Sequence, residues 1–259
     1  MTQIFNMKIP ILLNANYLKR GIRYYIIWDM ESHPHMLCVG STGSGKTYAL
    51  SLILGKICKY HYPEAQITIC DYKKSGFAQY FDCQNSFFGY EDVTNGIRSV
   101  YEEFTKRLEA NDDKLNKQMR VLLMDEYGAF IASREKKQAD EIKTMVGNML
   151  LMGRSLGIRI IVGIQRADAE FFKSGTREQF GAILALGNMS KEQKLMLFPD
   201  YREEMTDNCG RGQGYLLLDG QGIRHIAVPT VTKPDALEAT IRSAMNRRIP
   251  IPPAPAGEA

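Results

Sequence analysis

Cysteine is scarce, and what there is does not pair. The 259 residues hold five cysteines, Cys38, Cys58, Cys70, Cys83 and Cys209, an odd number with no C-x-x-C spacing. That argues against a disulfide framework and predicts reduced core thiols, as in a cytosolic protein. Histidine is scarce too. Two of the four, His33 and His35, bracket Pro34 with no Cys or carboxylate spacing nearby, so no metal site is read there. Long apolar runs are missing: no window approaches the roughly 18 apolar residues a membrane span needs. The opening stretch MTQIFNMKIPILLNANYLKRG is too polar after its short apolar run for a secretory signal. A membrane role would therefore need a partner or a further segment. There is no internal repeat and no strong charge of one sign. The net charge of +4 is compatible with a nucleic-acid partner without arguing for one, so a local basic surface would have to hold it.

Apolar residues make up 44% and charged residues 24%, a globular balance that supports one large α/β domain. Residues 1–30 alternate loosely (IPILL, then IRYYIIW) and predict a short N-terminal β segment. HMLCVG predicts a buried strand, TYALSLILGKICKY a helix, and AQITICD a second strand ending at Asp71. EDVTNGIRSVYEEFTKRLEANDDKLNKQ reads as a long helix with a solvated charged face, broken near Asn111. MRVLLMDEYGAF gives a third strand ending at Asp125-Glu126, and EIKTMVGNMLLMGRSLG a helix stopped at Gly157. IRIIVGIQ is a fourth strand ending at Gln165 and GAILALGN a fifth. GYLLLDGQGIRHIAV reads as a hairpin turning at Asp219-Gly220, and KPDALEATIRSAMNRR as a closing helix before a Pro-rich tail. The expected divisions are 1–30, a main domain over 31–232, and a helix and tail over 233–259.

Strands alternating with helices imply a mostly parallel sheet covered on both faces, with active groups at the carboxyl ends of its strands. Gly40, Asp71, Asp125 and Gln165 all fall at such ends. GSTGSGKT, Gly40 to Thr47, follows a strand and opens a helix, the context of a phosphate-binding loop. Its glycines let backbone N–H groups curl round phosphate oxygens, and the helix adds its positive end. Gly40, Ser41, Thr42, Gly43, Ser44, Gly45, Lys46, Thr47 and the following Tyr48 are the expected nucleotide site. Lys46 reaches the β and γ phosphates, and Thr47 with Asp125 holds Mg²⁺. Glu126, beside Asp125, can polarise a water for attack, which a hydrolase needs and a kinase does not. Gln165 is either a sensor of the γ-phosphate, on a strand between the loop strand and the Asp125 strand, or a solvated strand end. Arg154 is either a finger reaching a neighbouring subunit's phosphate or a helix-end cation near Gly157. Asp71-Tyr72-Lys73-Lys74 is either a group near the nucleotide or a charged loop.

HPHMLCVGSTGSGKT, ICDYKKS, VLLMDEYGAF and GRSLGIRIIVGIQRAD, in this order, resemble the motor domain of the FtsK/SpoIIIE family of DNA translocases, in the FtsK–HerA group. Pro34-His35 matches the family's Pro-His before the loop strand. Asp125-Glu126-Tyr127 matches its Asp-Glu-aromatic, Gly157-Ile158 and Gln165-Arg166 its "GI…TQRP" segment, and Gly212 and Gly214 its late G-x-G. Two prolines of the pattern are replaced, by Tyr72 and Ala167. The resemblance implies an α/β, P-loop NTPase fold of the RecA-like ASCE type, with the N-terminal β segment and a C-terminal hairpin and helix added. It implies ATP and Mg²⁺ as ligands and a homo-oligomeric, hexameric ring with ATP between subunits. Arg154 would then act in trans, and double-stranded DNA would thread the ring as Glu126, Lys46, Arg154 and Gln165 hydrolyse ATP.

Chromosome-partitioning members carry membrane spans and a DNA-reading winged helix, which this sequence does not contain. It looks like the compact coupling or transfer ATPases of plasmids and integrative elements, serving a relaxase or replication initiator. Viral packaging ATPases of the same group are the alternative, and a nucleotide-dependent assembly switch is the reading outside motors. Lys136-Lys137 and the stretch Lys173 to Arg177 are the expected DNA contacts. The expected location is cytoplasmic, with membrane association through a partner.

Overall fold

The computed structural model describes residues 7–60, 65–110, 118–206 and 208–247. The calls on a helix break at Asn111 and on the Pro-rich tail lie outside them. Among the described residues, ten strands form one sheet and seven α-helices flank it. In chain order the elements are β1 (Lys8–Asn14), α1 (Ala15–Leu18), β2 (Tyr25–Asp29), β3 (Met36–Gly40), α2 (Lys46–Tyr60), β4 (Gln66–Asp71), β5 (Phe87–Gly89) and α3 (Val93–Ala110). Then come β6 (Arg120–Asp125), α4 (Tyr127–Ala132), α5 (Lys136–Met152), β7 (Ile158–Ile164), β8 (Ala182–Leu186), α6 (Lys191–Leu197), β9 (Gln213–Leu218), β10 (Gly222–Ala227) and α7 (Pro234–Met245).

The sheet order is β2-β1-β10-β9-β8-β3-β7-β6-β4-β5. From β8 to β5 every pairing is parallel; from β2 to β8 every pairing is antiparallel. All residues of β3, β6 and β7 are buried, because helices cover both faces, and this is why they read as mostly apolar runs, with Arg120, Asp125 and Arg159 near their ends. One core lies under α2 and α7 and the other under α3 and α5. The five cysteines are buried, and none is in a disulfide.

The N-terminal strands pair with each other, and β1 pairs with β10, so the hairpin near the chain's end carries the sheet across to them. That hairpin turns where expected, with Gly220 at φ +70° and Gly222 at φ +76°. Two readings change. The helix over 136–152 ends five residues before Gly157, with Gly153 as its C-cap; Gly157 serves the turn into β7 instead, at φ +71°. The charged face of α3 is not all solvated. Glu103 and Arg107 are buried, Glu103 bonds Arg107 and lies 2.9 Å from Arg120, and Arg107 caps the carbonyls of Gln118 and Leu156. A buried guanidinium needs such partners, and they tie α3 to the start of β6.

Candidate functional site

The parallel strands deliver their polar residues to one edge. β3 runs into the loop Ser41–Gly45, and α2 begins at Lys46. The loop turns left-handed at Gly43 (φ +84°) and Gly45 (φ +95°), a backbone shape glycine adopts without strain. Gly40 is needed for another reason: a Cβ there would lie 2.5 Å from Ser44 Oγ. That hydroxyl is buried and has no protein partner. The first N–H groups of α2 have no acceptor within their helix. An unpartnered hydroxyl and open N–H groups round a glycine turn make a cradle for phosphate oxygens. Gly212 closes its outer wall, donating its N–H to the Ser44 carbonyl at 2.8 Å and packing against Gly45. The Tyr48 hydroxyl accepts the Val231 N–H and lies 3.4 Å from the Pro229 carbonyl.

Lys46 is buried, and its ammonium sits 2.7 Å from Asp125 Oδ1 and 2.8 Å from Glu126 Oε1. Burial alone would lower its pKa, but Asp125 and Glu126 outweigh that and raise it. Glu126 Oε2 accepts from Lys73 Nζ at 2.8 Å and from Gln165 Nε2 at 3.0 Å. Burial pushes the Glu126 carboxyl up, while the bonds and charges of Lys46 and Lys73 win and hold it below the ordinary value. Glu126 itself stands at φ 58°, ψ 35°, a left-handed conformation unusual for a side chain with a Cβ. Thr47 Oγ1 lies 3.2 Å from Asp125 Oδ2. The backbone of Gly76 covers that pair so closely that a Cβ there would come 2.5 Å from Thr47 Cγ2. These two hard oxygens suit Mg²⁺, which takes one or two protein oxygens along with phosphate and water. Among the described residues no cluster of three or more His, Cys, Asp or Glu side chains could hold a metal.

β7 lies between β3 and β6, the position expected for the strand that ends before Gln165. The structure thus brings together Gly40 to Thr47, Asp125, Glu126 and Gln165. It does not bring Arg154 to them. Arg154 follows α5 at the amino ends of the strands, half-exposed, with Glu31 Oε1 3.6 Å from its guanidinium. Asp71 is fully buried and serves structure: its Oδ2 accepts the N–H groups of Gly76 and Phe77 and folds the 72–77 loop back. The loop contributes Lys73, whose contact with Glu126 no spacing rule could supply. The signal available was the parallel register of two strands both ending in Asp, which pairs Asp71 with Asp125. Lys136 and Lys137 line, with Arg98, a groove of about 880 Å³ that also carries Asp140 and Glu141. Arg177 donates to the Ala167 carbonyl at 3.3 Å. His35 is buried; its Nδ1 accepts from the Ile160 N–H, and burial with the Arg159 charge lowers its pKa to about 3.

Three relatives stand beside this geometry. The FtsK domain-containing protein YdcQ of Bacillus subtilis is 25% identical over 234 residues, covering 85% of this chain and 48% of its own length. The DNA translocase FtsK of Chlorobaculum tepidum is 23% identical over 214 residues, covering 72% of this chain and 26% of its own. The chain thus spans half or less of the curated relatives it matches. Among solved structures, the pCW3 conjugation coupling protein TcpA superposes with a TM-score of 0.72 at 15% identity, over 93% of this chain and 71% of that one, which speaks for the fold alone. The family model described as FtsK/SpoIIIE matches residues 8–196, most of the chain and all of the loop, Asp125, Glu126 and Gln165. A P-loop ATPase fold carrying that match belongs to the FtsK/SpoIIIE family.

Proposed function

We propose that this chain hydrolyses ATP and uses it to move double-stranded DNA, as a homo-oligomeric ring serving transfer or mobilisation of a plasmid or integrative element. The observation that carries the hydrolytic step is the convergence beside the glycine loop of Lys46, bonded to Asp125 and Glu126, with Gln165, bonded to Glu126. Lys46 leaves its carboxylates for the β and γ phosphates, neutralising charge that grows on them. Glu126 accepts a hydrogen bond from a water and takes its proton as the water oxygen bonds to the γ-phosphorus. The bond from that phosphorus to the bridging oxygen breaks, ADP keeps the electron pair, and the proton passes on to phosphate. Thr47 and Asp125 would hold Mg²⁺, which when bound adds positive charge beside the phosphates. Gln165, bonded to Glu126, senses whether the γ-phosphate is there.

Arg154 lies outside this chain's own cluster, so its finger role is one it would play in a neighbouring subunit's site. The reading is a ring with nucleotide at its interfaces, the hexamer being the expected count. Lys136, Lys137 and the 173–177 stretch are the proposed contacts to DNA phosphates, and contacts of that kind weaken steeply with salt. No helix among the described residues is long and apolar enough to cross a membrane. A cytoplasmic location, with a relaxase or replication initiator as the docking partner, completes the reading.

The test is phosphate release from ATP with and without DNA, alongside a mass measurement of the assembly. Faster hydrolysis with duplex DNA and a multimer on that DNA are expected. Hydrolysis that neither single- nor double-stranded DNA alters, with no DNA bound, would overturn the motor and leave an assembly switch.

A further inference from the structure

Glu126 has more partners than a resting base requires, and they divide by oxygen atom. Oε1 faces only Lys46; Oε2 faces Lys73 and Gln165. The charges also divide evenly, two carboxylates against two ammonium groups, Asp125 and Glu126 against Lys46 and Lys73. The two cations differ in their surroundings. The Lys46 side chain is 6% exposed and sits in the phosphate loop; that of Lys73 is 43% exposed and comes from the far side, on the loop after β4.

Lys73 is held there by construction. β4 and β6 run parallel with Asp71 opposite Asp125, so the residues that follow each strand emerge side by side. Asp71 then draws the loop tight through the Gly76 and Phe77 N–H groups, and Lys74 turns left-handed at φ 51°. On the other side, Glu126 is fixed by its own left-handed backbone and by its N–H, which donates to Asp125 Oδ1 at 3.0 Å. The ion pair thus joins Glu126, itself on a left-handed backbone, to Lys73, the residue just before the left-handed Lys74.

We infer that Lys73 is a positioning residue for hydrolysis: with Gln165 it clamps Glu126 Oε2, so that when nucleotide draws Lys46 away, Oε1 alone is bared to the attacking water. The inference rests on the ATP-hydrolysis reading above. Without the clamp, the departure of Lys46 would leave two adjacent carboxylates with no cation, and the Glu126 side chain would be free to swing out to solvent. With it, the carboxylate keeps one charge partner and one orientation, and the oxygen exposed is the one that faced Lys46 and hence the phosphate loop. Lys73 acts through Glu126, and its contribution belongs to turnover, not to nucleotide binding.

Two measurements test this. In the first, Lys73→Met is expected to lower kcat by about tenfold or more, a share of the 10²–10⁴ that a placed base contributes, with KM and the ADP dissociation constant within about threefold. Lys73→Arg, which keeps a cation at the same reach, is expected to recover most of kcat. Wild-type kcat in Lys73→Met overturns the inference. So does a raised KM at unchanged kcat, which would make Lys73 a phosphate ligand. The second needs no turnover: thermal unfolding of nucleotide-free Lys73→Met, Glu126→Ala and the double variant. Shifts in Tm that fail to add are expected; additive shifts overturn the clamp. If the wild-type chain proves not to hydrolyse ATP, the proposed function fails on its own, and the unfolding cycle still decides whether Lys73 holds Glu126.

Discussion

The two halves of the sheet obey different rules. In the parallel half, from β8 to β5, strands β3, β6 and β7 are buried at every residue, and their charged side chains, Arg120, Asp125 and Arg159, stand at or next to a strand's end. The carboxyl ends supply Asp71, Asp125 and Gln165, and the phosphate loop follows β3. In the antiparallel half, β2 alternates exposed and buried residues along Tyr25 to Trp28, with Ile27 and Tyr25 outward. No charged side chain of that half enters the cluster. What it brings to the loop comes from just before β9: the Gly212 N–H holds the Ser44 carbonyl, and the Arg211 side chain lies beside Gly45. A dry, doubly covered sheet concentrates chemistry at its rim, while a half-wet sheet supplies the wall that sets where the rim's loop lies.

The strongest way to break the comparison is at the rim itself. Lys46→Ala removes the cation from between two carboxylates, and loss of one partner from a buried charge cluster costs about 3–5 kcal/mol. Nucleotide binding, read by calorimetry, should disappear along with hydrolysis. Glu126→Gln keeps the shape and the Gln165 neighbour. It should retain ATP binding and lower kcat by about 10²–10⁴. Normal turnover in that variant would remove Glu126 from the base role.

The next effect lies on the seam between the halves. A Cβ on Gly214 would stand 1.9 Å from the Ala185 carbonyl oxygen, across the β8–β9 pairing. Backbone cannot yield as a flexible side chain does, so Gly214→Ala should cost about 3 kcal/mol of stability, the upper end of overpacking. Urea unfolding measures it. Gly212 is two residues away, so the same variant should also weaken nucleotide binding in its folded fraction. Unchanged affinity there would mean the antiparallel half bears on stability only.

The same contrast explains what could be read beforehand. β3, β6 and β7 were legible because burial on both faces leaves a mostly apolar run that stops at Gly40, Asp125 and Gln165. The order β3-β7-β6, which sets Gln165 beside Glu126, followed from the phosphate-loop pattern. What stayed hidden depends on register and packing. The short strand β5 carries only three residues. Lys73 meets Glu126 because Asp71 is aligned with Asp125, a fact of pairing and not of spacing. The Glu103–Arg107–Arg120 network looked like a solvated face because helical spacing shows which charges are neighbours, not which side is covered. Arg154 was read as lying on the helix before β7; that helix ends at Met152, and the turn that carries Arg154 lies at the amino ends of the strands, away from Lys46.

Those amino ends give a pH-dependent test. His35 accepts the Ile160 N–H with Nδ1 and is held neutral by burial and by the Arg159 charge, with a folded pKa of about 3 against an ordinary 6.5. A folded pKa below the unfolded one means the unfolded chain takes up the proton first. The contribution is therefore complete above pH 6.5 and is lost as pH falls towards 3. At pH 5 the loss should be about 2 kcal/mol. His35→Asn keeps an acceptor for Ile160 and removes the titration. Its Tm should fall less than wild type between pH 7 and pH 5, and parallel curves would count against a neutral buried His35.

The smallest effect is expected on the outer edge, and its smallness is what it tests. Ile27 lies on the solvent side of the end strand, 42% exposed, while its neighbours Ile26 and Trp28 point into the core. Little apolar area is removed from water at that position, and Thr suits a strand as well as Ile does. Ile27→Thr should therefore change unfolding free energy by no more than about 0.5 kcal/mol. At a fully buried β7 position such as Ile161, truncation to Ala should cost about 2–5 kcal/mol. A large loss at Ile27, measured in the assembled protein but absent from the monomer, would place a covering surface over β2. The antiparallel edge would then be as dry as the parallel strands, and the contrast between the two halves would hold only for the single subunit.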